Sequence, residues 1–126
     1  FLSDHGAAFP FAKAQCYLNS TKTPLIVRWP GKTKPGSVDS THFVTGIDLM
    51  PTMMEAAGLS RIPKLDGQSF LPLLRGEQQE GREYAYSTFY QIFAKTRYPM
   101  RCVQNREFAY IYNFWADHET YLFTGP

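Results

Sequence analysis

Apolar positions along the chain follow two different spacings, and each spacing predicts a different element. Residues 24–30 form a short apolar run bracketed by prolines, which is typical of a buried strand in a parallel sheet. Over residues 40–59, apolar side chains recur at close to helical spacing. Pro51 falls inside that pattern, which indicates either a kink or two abutting helices. We favour two helices, with Asp48 capping the second and Gly58 ending it, because proline is well tolerated in a first helical turn.

The last third of the chain is rich in aromatic and β-branched residues, which are typical of strands. It predicts three strands of an antiparallel sheet, at residues 84–90, 98–104 and 108–114. Residues 61–81 before it are loop-like around a short apolar patch at residues 70–74, and residues 75–82 are charged and rich in glutamine. We therefore predict an α/β body over residues 1–80 and a small antiparallel α+β subdomain over residues 81–126.

Shorter patterns give further predictions. Residues 13–18 favour a helical turn, and the turn-rich residues 31–40 favour a surface loop. His42, at the start of the helical pattern, is expected to be a solvated surface group. The methionines of the same pattern are expected to fill the core, namely Met50, Met53 and Met54.

Composition narrows the class of protein. A length of 126 residues with 44% apolar and 16% aromatic residues is enough for one packed domain, so the chain is not a disordered tail. The net charge of +2 is mild and the basic residues are scattered, which argues against a nucleic-acid partner. No apolar stretch reaches the length of about 18 residues that predicts a membrane span. The two cysteines, Cys16 and Cys102, fit no zinc motif and are interpreted as buried thiols rather than a disulfide.

The densest group of chemically capable side chains lies near the start of the chain. Two apolar residues lead into Asp4 and His5, and Gly6 follows at once, as expected where a strand ends and the backbone turns sharply. A carboxylate and an imidazole can both bind metal ions, and Lys13 adds a cation nearby. These residue types together indicate a metal site built for an oxyanion. The alternative is a plain turn in which Asp4 caps the backbone and His5 is merely exposed.

Blocks of sequence that follow this group extend the interpretation. The blocks are residues 3–6, 23–31, 48–52 with 57–59, and 65–70. In this order they resemble the recurrent blocks of the sulfatase family of the alkaline phosphatase superfamily, in which the first block binds metal. Two further segments, residues 9–13 and 98–104, look most like the sulfamidase branch, the N-sulfoglucosamine sulfohydrolases.

The resemblance implies a role for each candidate residue. Asp4 and His5 would be ligands of Ca²⁺, and Lys13 would hold the sulfate or sulfamate oxygens. Arg101 would contact an anionic sugar, although a plain surface salt bridge is an equal alternative. The family nucleophile is a formylglycine made from Cys or Ser in a Cys/Ser-x-Pro-x-Arg motif. Neither Cys16 nor Cys102 stands in such a motif, so the formylglycine is expected upstream of this chain.

The resemblance also implies a fold and an activity. The chain would be the C-terminal part of an alkaline-phosphatase-like sulfatase domain, followed by its small antiparallel subdomain, and would need the remainder of the sulfatase chain to be active. The intact enzyme would hydrolyse sulfate esters or N-sulfates of a sugar or glycosaminoglycan, in a secreted, periplasmic or lysosomal setting. Two rival hypotheses are a metal-dependent phosphohydrolase of the same superfamily and a noncatalytic sugar-binding relative.

Overall fold

A computed structural model describes residues 1–4, 6–7, 9–91 and 97–116, and these residues divide between two compact units. One unit comprises Phe1–Leu25 and Tyr84–Pro126, and the other comprises Ile26–Glu83. The helices and strands in chain order are α1 (Leu18–Thr21), a 3₁₀ turn (Gly46–Asp48), α2 (Leu49–Ala56), α3 (Leu71–Arg75), β1 (Ala85–Gln91), β2 (Arg97–Gln104) and β3 (Ala109–Asn113). No helix within the described ranges is both long and apolar enough to cross a bilayer.

The first unit is built on a three-stranded antiparallel sheet in the order β1-β2-β3. This confirms the three strands predicted from the aromatic and β-branched stretches, to within a residue or two at each end. Side chains alternate between two faces along each strand. Met100 and Cys102 on β2 are buried, whereas Arg101 between them is exposed. One face of the sheet therefore carries the core of this unit.

Cys16 completes that core from the N-terminal segment. It is 2% exposed and clusters with Met100 and Cys102, and four partly buried residues surround the cluster, namely Phe89, Tyr98, Ile111 and Trp115. Both cysteines are free and buried, as the sequence predicts. Burial raises the pKa of the Cys16 thiol, because a thiolate loses hydration in an apolar setting.

The second unit holds the helical pattern, and only its second half is a helix as predicted. Pro51 lies in the first turn of α2, directly after the 3₁₀ turn that ends at Asp48. Residues 40–45 are not helical, so the first predicted helix is wrong. The Asp39 carboxylate accepts the backbone N–H groups of Thr41 and His42, and such local bonds compete with helix formation.

The predicted parallel strand at residues 24–30 is also wrong. Leu25 makes a single antiparallel bridge to Leu2, and Ile26 is 59% exposed. A strand pairs with a neighbouring strand along its length, whereas among the described residues this segment makes a single β-bridge. The predicted α/β class is therefore correct only in part, because the described residues form a small antiparallel sheet with few helices and contain no parallel sheet.

Two smaller predictions also fail. Residues 13–17 form bends, and the short helix α1 begins only at Leu18. Met50 and Met53 are 51% and 60% exposed, so these two methionines do not fill the core. The core side of α2 instead carries Pro51 and Thr52, which are buried.

Candidate functional site

In the N-terminal segment, Asp4 follows a tethered stretch and lies two residues before a glycine with left-handed backbone. Leu2 pairs with Leu25, and the Thr23 hydroxyl donates a hydrogen bond to the Ser3 carbonyl at 2.8 Å. Gly6 adopts a φ of 68°, a left-handed conformation that glycine accepts without steric cost. The exposed Asp4 side chain thus follows directly on anchored backbone. Leu2 forms an isolated bridge rather than a strand, so the backbone before Asp4 is tethered without the strand that the sequence predicts.

The second predicted metal ligand, His5, lies outside the described residues. Within the described ranges, no group of three or more His, Cys, Asp or Glu side chains could hold a metal ion. Asp4 offers a carboxylate, which is the type of donor that Ca²⁺ prefers. A Ca²⁺ ion takes about six to eight oxygen ligands, so Asp4 fits the role of one contributor to a larger ligand set.

Lys13 lies in a loop whose backbone is strained on both sides of it. Phe11 and Ala14 have φ values of 61° and 58°, although neither is glycine. Residues with a Cβ adopt this region rarely, and such strain tends to cluster at functional sites. The Ala12 N–H donates to the Phe9 carbonyl at 3.0 Å, which closes the turn just before Lys13. The half-buried Lys13 side chain is therefore presented by a defined loop conformation.

Cys16 attaches this loop to the sheet. It lies three residues after Lys13, is buried in the sheet core, and its thiol lies 3.9 Å from the Ser87 carbonyl on β1. Phe11 and Tyr17 add an edge-to-face ring contact with centroids 5.2 Å apart. The position of Lys13 thus depends on packing against β1 and β2, which is a role of Cys16 that the sequence did not reveal.

Arg101 lies in the middle of β2, on the exposed face of the sheet. Its backbone pairs with Thr88 on β1 and Tyr112 on β3. Its guanidinium lies 5.1 Å from the centre of the Phe114 ring, which is a cation–π contact. Among the described residues no carboxylate forms an ion pair with it. The surface salt bridge considered from the sequence is therefore absent from this part of the chain.

In the second unit, Asp48 is the centre of a buried polar cluster. It is 2% exposed, and its carboxylate accepts the N–H of Thr45 at 2.8 Å and the N–H of Gln68 at 2.7 Å. Arg82 binds both carboxylate oxygens in a bidentate pair. Burial on its own would raise the pKa of Asp48, but the hydrogen bonds from Arg82, Thr45 and Gln68 outweigh it and lower that pKa below its ordinary value.

Thr52 continues this cluster one turn along α2. Its hydroxyl donates to the Asp48 carbonyl at 2.6 Å and accepts the Phe70 N–H at 3.0 Å. A Cβ added at Gly67 would lie 2.0 Å from the Ile47 carbonyl oxygen, so only glycine fits there. Residues 48–52 and 65–70 are two of the blocks that carry the resemblance. Here they hold the fold of this unit together.

The sequence predicts that Asp48 caps the second helix or accepts hydrogen bonds from the backbone around residues 51–52. Asp48 does occupy the N-cap position of α2, but its side chain makes no cap hydrogen bond to that helix. Its carboxylate instead accepts the Thr45 N–H in a capping box of the preceding 3₁₀ turn. The ion pair with Arg82 was missed. Arg82 is separated from Asp48 by 34 residues and lies in a charged stretch that was interpreted as a boundary. A buried carboxylate requires a charged or N–H partner, so a search for a basic residue to pair with Asp48 could have suggested Arg82.

His42 is not the solvated group that its position predicted. Its Nδ1 lies 2.7 Å from an Asp39 carboxylate oxygen, and its Nε2 lies 3.2 Å from the Gln79 carbonyl. Its side chain is 23% exposed. Despite some burial, hydrogen bonds from Thr41 and His42 lower the pKa of Asp39 to about 2. Through its contacts with Asp39 and Gln79, His42 connects residues 39–42 to residue 79 and so stabilises this unit.

Comparison with known proteins supports the sulfatase interpretation. The family described as N-sulphoglucosamine sulphohydrolase, C-terminal, matches residues 5–124. An ulvan-active sulfatase of Formosa agariphila is 36% identical over 116 residues, which is 90% of this chain and 22% of that protein. The human N-sulphoglucosamine sulphohydrolase is 30% identical over 122 residues, covering 90% of this chain and 24% of that protein.

A solved structure agrees with these sequence matches. A putative sulfatase from Bacteroides thetaiotaomicron superposes with a TM-score of 0.71 at 27% identity, over 79% of this chain and 22% of that one. The chain thus spans between a fifth and a quarter of the length of these relatives. Because the family match covers nearly the whole chain, the protein belongs to the N-sulphoglucosamine sulphohydrolase C-terminal family of sulfatases.

Proposed function

We propose that the full-length protein is a sulfamidase-like sulfatase, which hydrolyses sulfate esters or N-sulfates of sugars with the help of Ca²⁺. The observation that carries this proposal is the family match over residues 5–124. The human relative over most of this chain is named N-sulphoglucosamine sulphohydrolase, which supports an N-sulfated sugar as the substrate. Residues in this chain supply part of the site and positioning contacts.

Asp4 and His5 are the proposed metal ligands. Asp4 is exposed and follows anchored backbone, so its carboxylate can approach an ion without unfolding a packed region. When bound, Ca²⁺ would neutralise negative charge on the sulfate group. The formylglycine nucleophile belongs to the same proposal and is expected upstream in the full-length protein, where mass spectrometry of the Cys-x-Pro-x-Arg or Ser-x-Pro-x-Arg peptide would detect it.

Lys13 is the proposed sulfate-binding cation and catalytic residue. Its ammonium is a point charge with three donors, and it can orient a sulfate oxygen and stabilise charge that develops during transfer. The strained turn between Phe11 and Ala14 and the anchor at Cys16 limit the positions open to its side chain. Fixing a charge in advance is what makes such stabilisation effective.

Arg101 is the proposed substrate-binding residue of the sheet. Its guanidinium is exposed, stacks on Phe114 and has no described carboxylate partner, so its N–H groups can bind a sulfate or carboxylate of a sugar. Arginine presents a fork of donors that matches such groups in a bidentate manner.

We also propose that the full-length enzyme is secreted, periplasmic or lysosomal. Cell fractionation would test this localisation.

The full-length protein should be assayed with three probes: glucosamine N-sulfate, glucosamine 6-sulfate and 4-nitrophenyl phosphate. Sulfate release from the N-sulfate, measured by ion chromatography and lost after chelation of Ca²⁺, is the expected result. Sulfate release from the 6-sulfate alone would show that the enzyme is a sulfatase that acts on sulfate esters and is not a sulfamidase. Phosphate release without sulfate release would favour the phosphohydrolase, and sugar binding without turnover of any probe would favour the noncatalytic relative.

A further inference from the structure

The three-stranded sheet has two chemically different faces. The inner face packs on Cys16 through Met100 and Cys102, which are 8% and 4% exposed. The outer face carries the alternate residues of the strands. Five outer residues and Cys102 line an open groove with a volume of about 420 Å³, and we call these five the tyrosine–arginine face: Tyr86, Arg101, Val103, Tyr110 and Tyr112.

The aromatic rings of this face are unusually open to solvent. Tyr86 is 74% exposed, Tyr110 is 66% exposed and Tyr112 is 49% exposed. Contiguous exposed aromatic surface of this kind marks a binding site more often than a passive surface. A tyrosine ring offers an apolar face and a polar hydroxyl tip, so it suits a ligand that is itself apolar on one side and polar at its edges.

Strand register sets the geometry of the face. Val103 on the central strand pairs with Tyr86 on one side and Tyr110 on the other. The two tyrosines are therefore two strand spacings apart, about 10 Å. Arg101 lies two residues along the same strand and pairs with Tyr112. The groove therefore has the Tyr86 ring on one side and the Tyr110 ring on the other, and Arg101 also lines it.

The positive charge of the sheet strands favours an anionic ligand. The three strands contain no Asp or Glu along their described lengths, and they contain two arginines, Arg97 and Arg101. The Arg97 guanidinium lies 5.7 Å from the Tyr90 ring centre, and that of Arg101 lies 5.1 Å from the Phe114 ring centre. Stacking on a ring holds a guanidinium by its flat side and leaves its N–H edge available to an acceptor.

We propose that the tyrosine–arginine face binds a sulfated sugar chain, with Tyr86 and Tyr110 stacking on sugar rings and Arg101 binding a sulfate group. A simple anion such as inorganic sulfate would use the arginine but not the rings, and an apolar peptide would use the rings but leave the guanidinium without a partner. A sulfated oligosaccharide satisfies both. The inference rests on the proposed function for its class of ligand and extends it, because it gives the enzyme a second surface that can hold a sulfated polymer.

Binding should be measured by calorimetry on the full-length protein, with a heparin octasaccharide as the probe and the fully desulfated octasaccharide as the control probe. The double variant Tyr86→Ala/Tyr110→Ala should bind heparin about tenfold or more weakly. Tyr86→Phe/Tyr110→Phe keeps both rings and should bind normally. Val38→Ala, which removes a 90% exposed apolar side chain from the other compact unit, is the control variant and should also bind normally.

Activity on glucosamine N-sulfate, a single sugar, separates this inference from the proposed function. Weaker binding of heparin by the alanine pair with monosaccharide turnover unchanged supports the inference. Unchanged heparin binding by the alanine pair, or equal binding of the desulfated probe, overturns it, whether or not the protein is a sulfatase. If no probe is hydrolysed but the alanine pair still loses heparin binding, the proposed function fails and the sugar-binding face stands. A drop in melting temperature in the alanine pair with unchanged binding shows that the face packs against protein, and this also overturns the inference.

Discussion

Asp48 and Asp4 are two aspartates with opposite environments. Asp48 is 2% exposed, and its carboxylate oxygens accept N–H groups from Thr45, Gln68 and Arg82. Asp4 is exposed and follows a tethered segment next to a left-handed glycine. A carboxylate that is buried and held by several N–H groups stabilises a fold, whereas one at the surface is accessible to an ion from solution. The comparison teaches that a recurrent sequence block can serve structure as readily as chemistry.

The largest expected effect comes from removing the structural carboxylate. Asp48→Ala removes the ion-pair partner of Arg82 and the acceptor of the Thr45 and Gln68 N–H groups, so the free energy of unfolding should fall by about 3–5 kcal/mol. Urea denaturation followed by circular dichroism measures this. Glu55→Ala, at an exposed carboxylate on α2, is the matched control and should change stability by less than about 0.5 kcal/mol. Equal effects of the two substitutions would contradict the structural role of Asp48.

The next effect concerns turnover rather than stability. Lys13→Ala in the full-length protein should lower kcat by about 10²–10³-fold, the loss that follows removal of one group that stabilises a developing oxyanion. Melting temperature should stay within a degree or two of the parent, because Lys13 is not part of the Cys16 core. Lys22→Ala removes an exposed lysine from the same segment and should leave kcat unchanged. Full activity in Lys13→Ala would exclude Lys13 from the mechanism.

A smaller effect should appear in the acid range of the stability curve. The pKa of Asp48 is lowered in the folded state, and that of Asp39 is lowered to about 2. Because the unfolded chain binds these protons more readily, both carboxylates stabilise the fold above pH 3.8. Each loses that contribution as the pH falls through its lowered pKa, which for Asp39 is about 2. Melting temperature measured from pH 6 to pH 2.5 should fall most steeply below pH 4. Asp48→Asn should flatten that fall, and an unchanged slope would contradict the shifted pKa.

The sequence predicted those parts of the fold that depend on neighbours along the chain. Stretches rich in aromatic and β-branched residues predicted all three strands of the sheet, and the position of Pro51 predicted the first turn of α2. The strand at residues 24–30 failed because a strand depends on partners, and the described residues offer Leu25 one bridge. Composition shows the potential for a strand but not whether a neighbour is present.

The candidate site was predicted as residue types and not as geometry. Asp4 and Lys13 are candidates because a carboxylate and an ammonium close together in the sequence are recognisable without knowledge of the fold. The left-handed backbone at Phe11 and Ala14 could not be predicted, because neither residue favours that conformation by itself. The Asp48–Arg82 pair was missed for a similar reason, since it joins residues 34 positions apart through tertiary packing.

The central claim is that Asp4 serves the chemistry of the protein and not its stability. Asp4→Asn in the full-length protein tests it most directly, with kcat/KM for sulfate release, bound calcium and melting temperature measured on the same sample. The account predicts a loss of kcat/KM of at least about 100-fold and a loss of bound calcium, with the melting temperature in the presence of a chelator unchanged. Retained activity and calcium in Asp4→Asn would contradict the account.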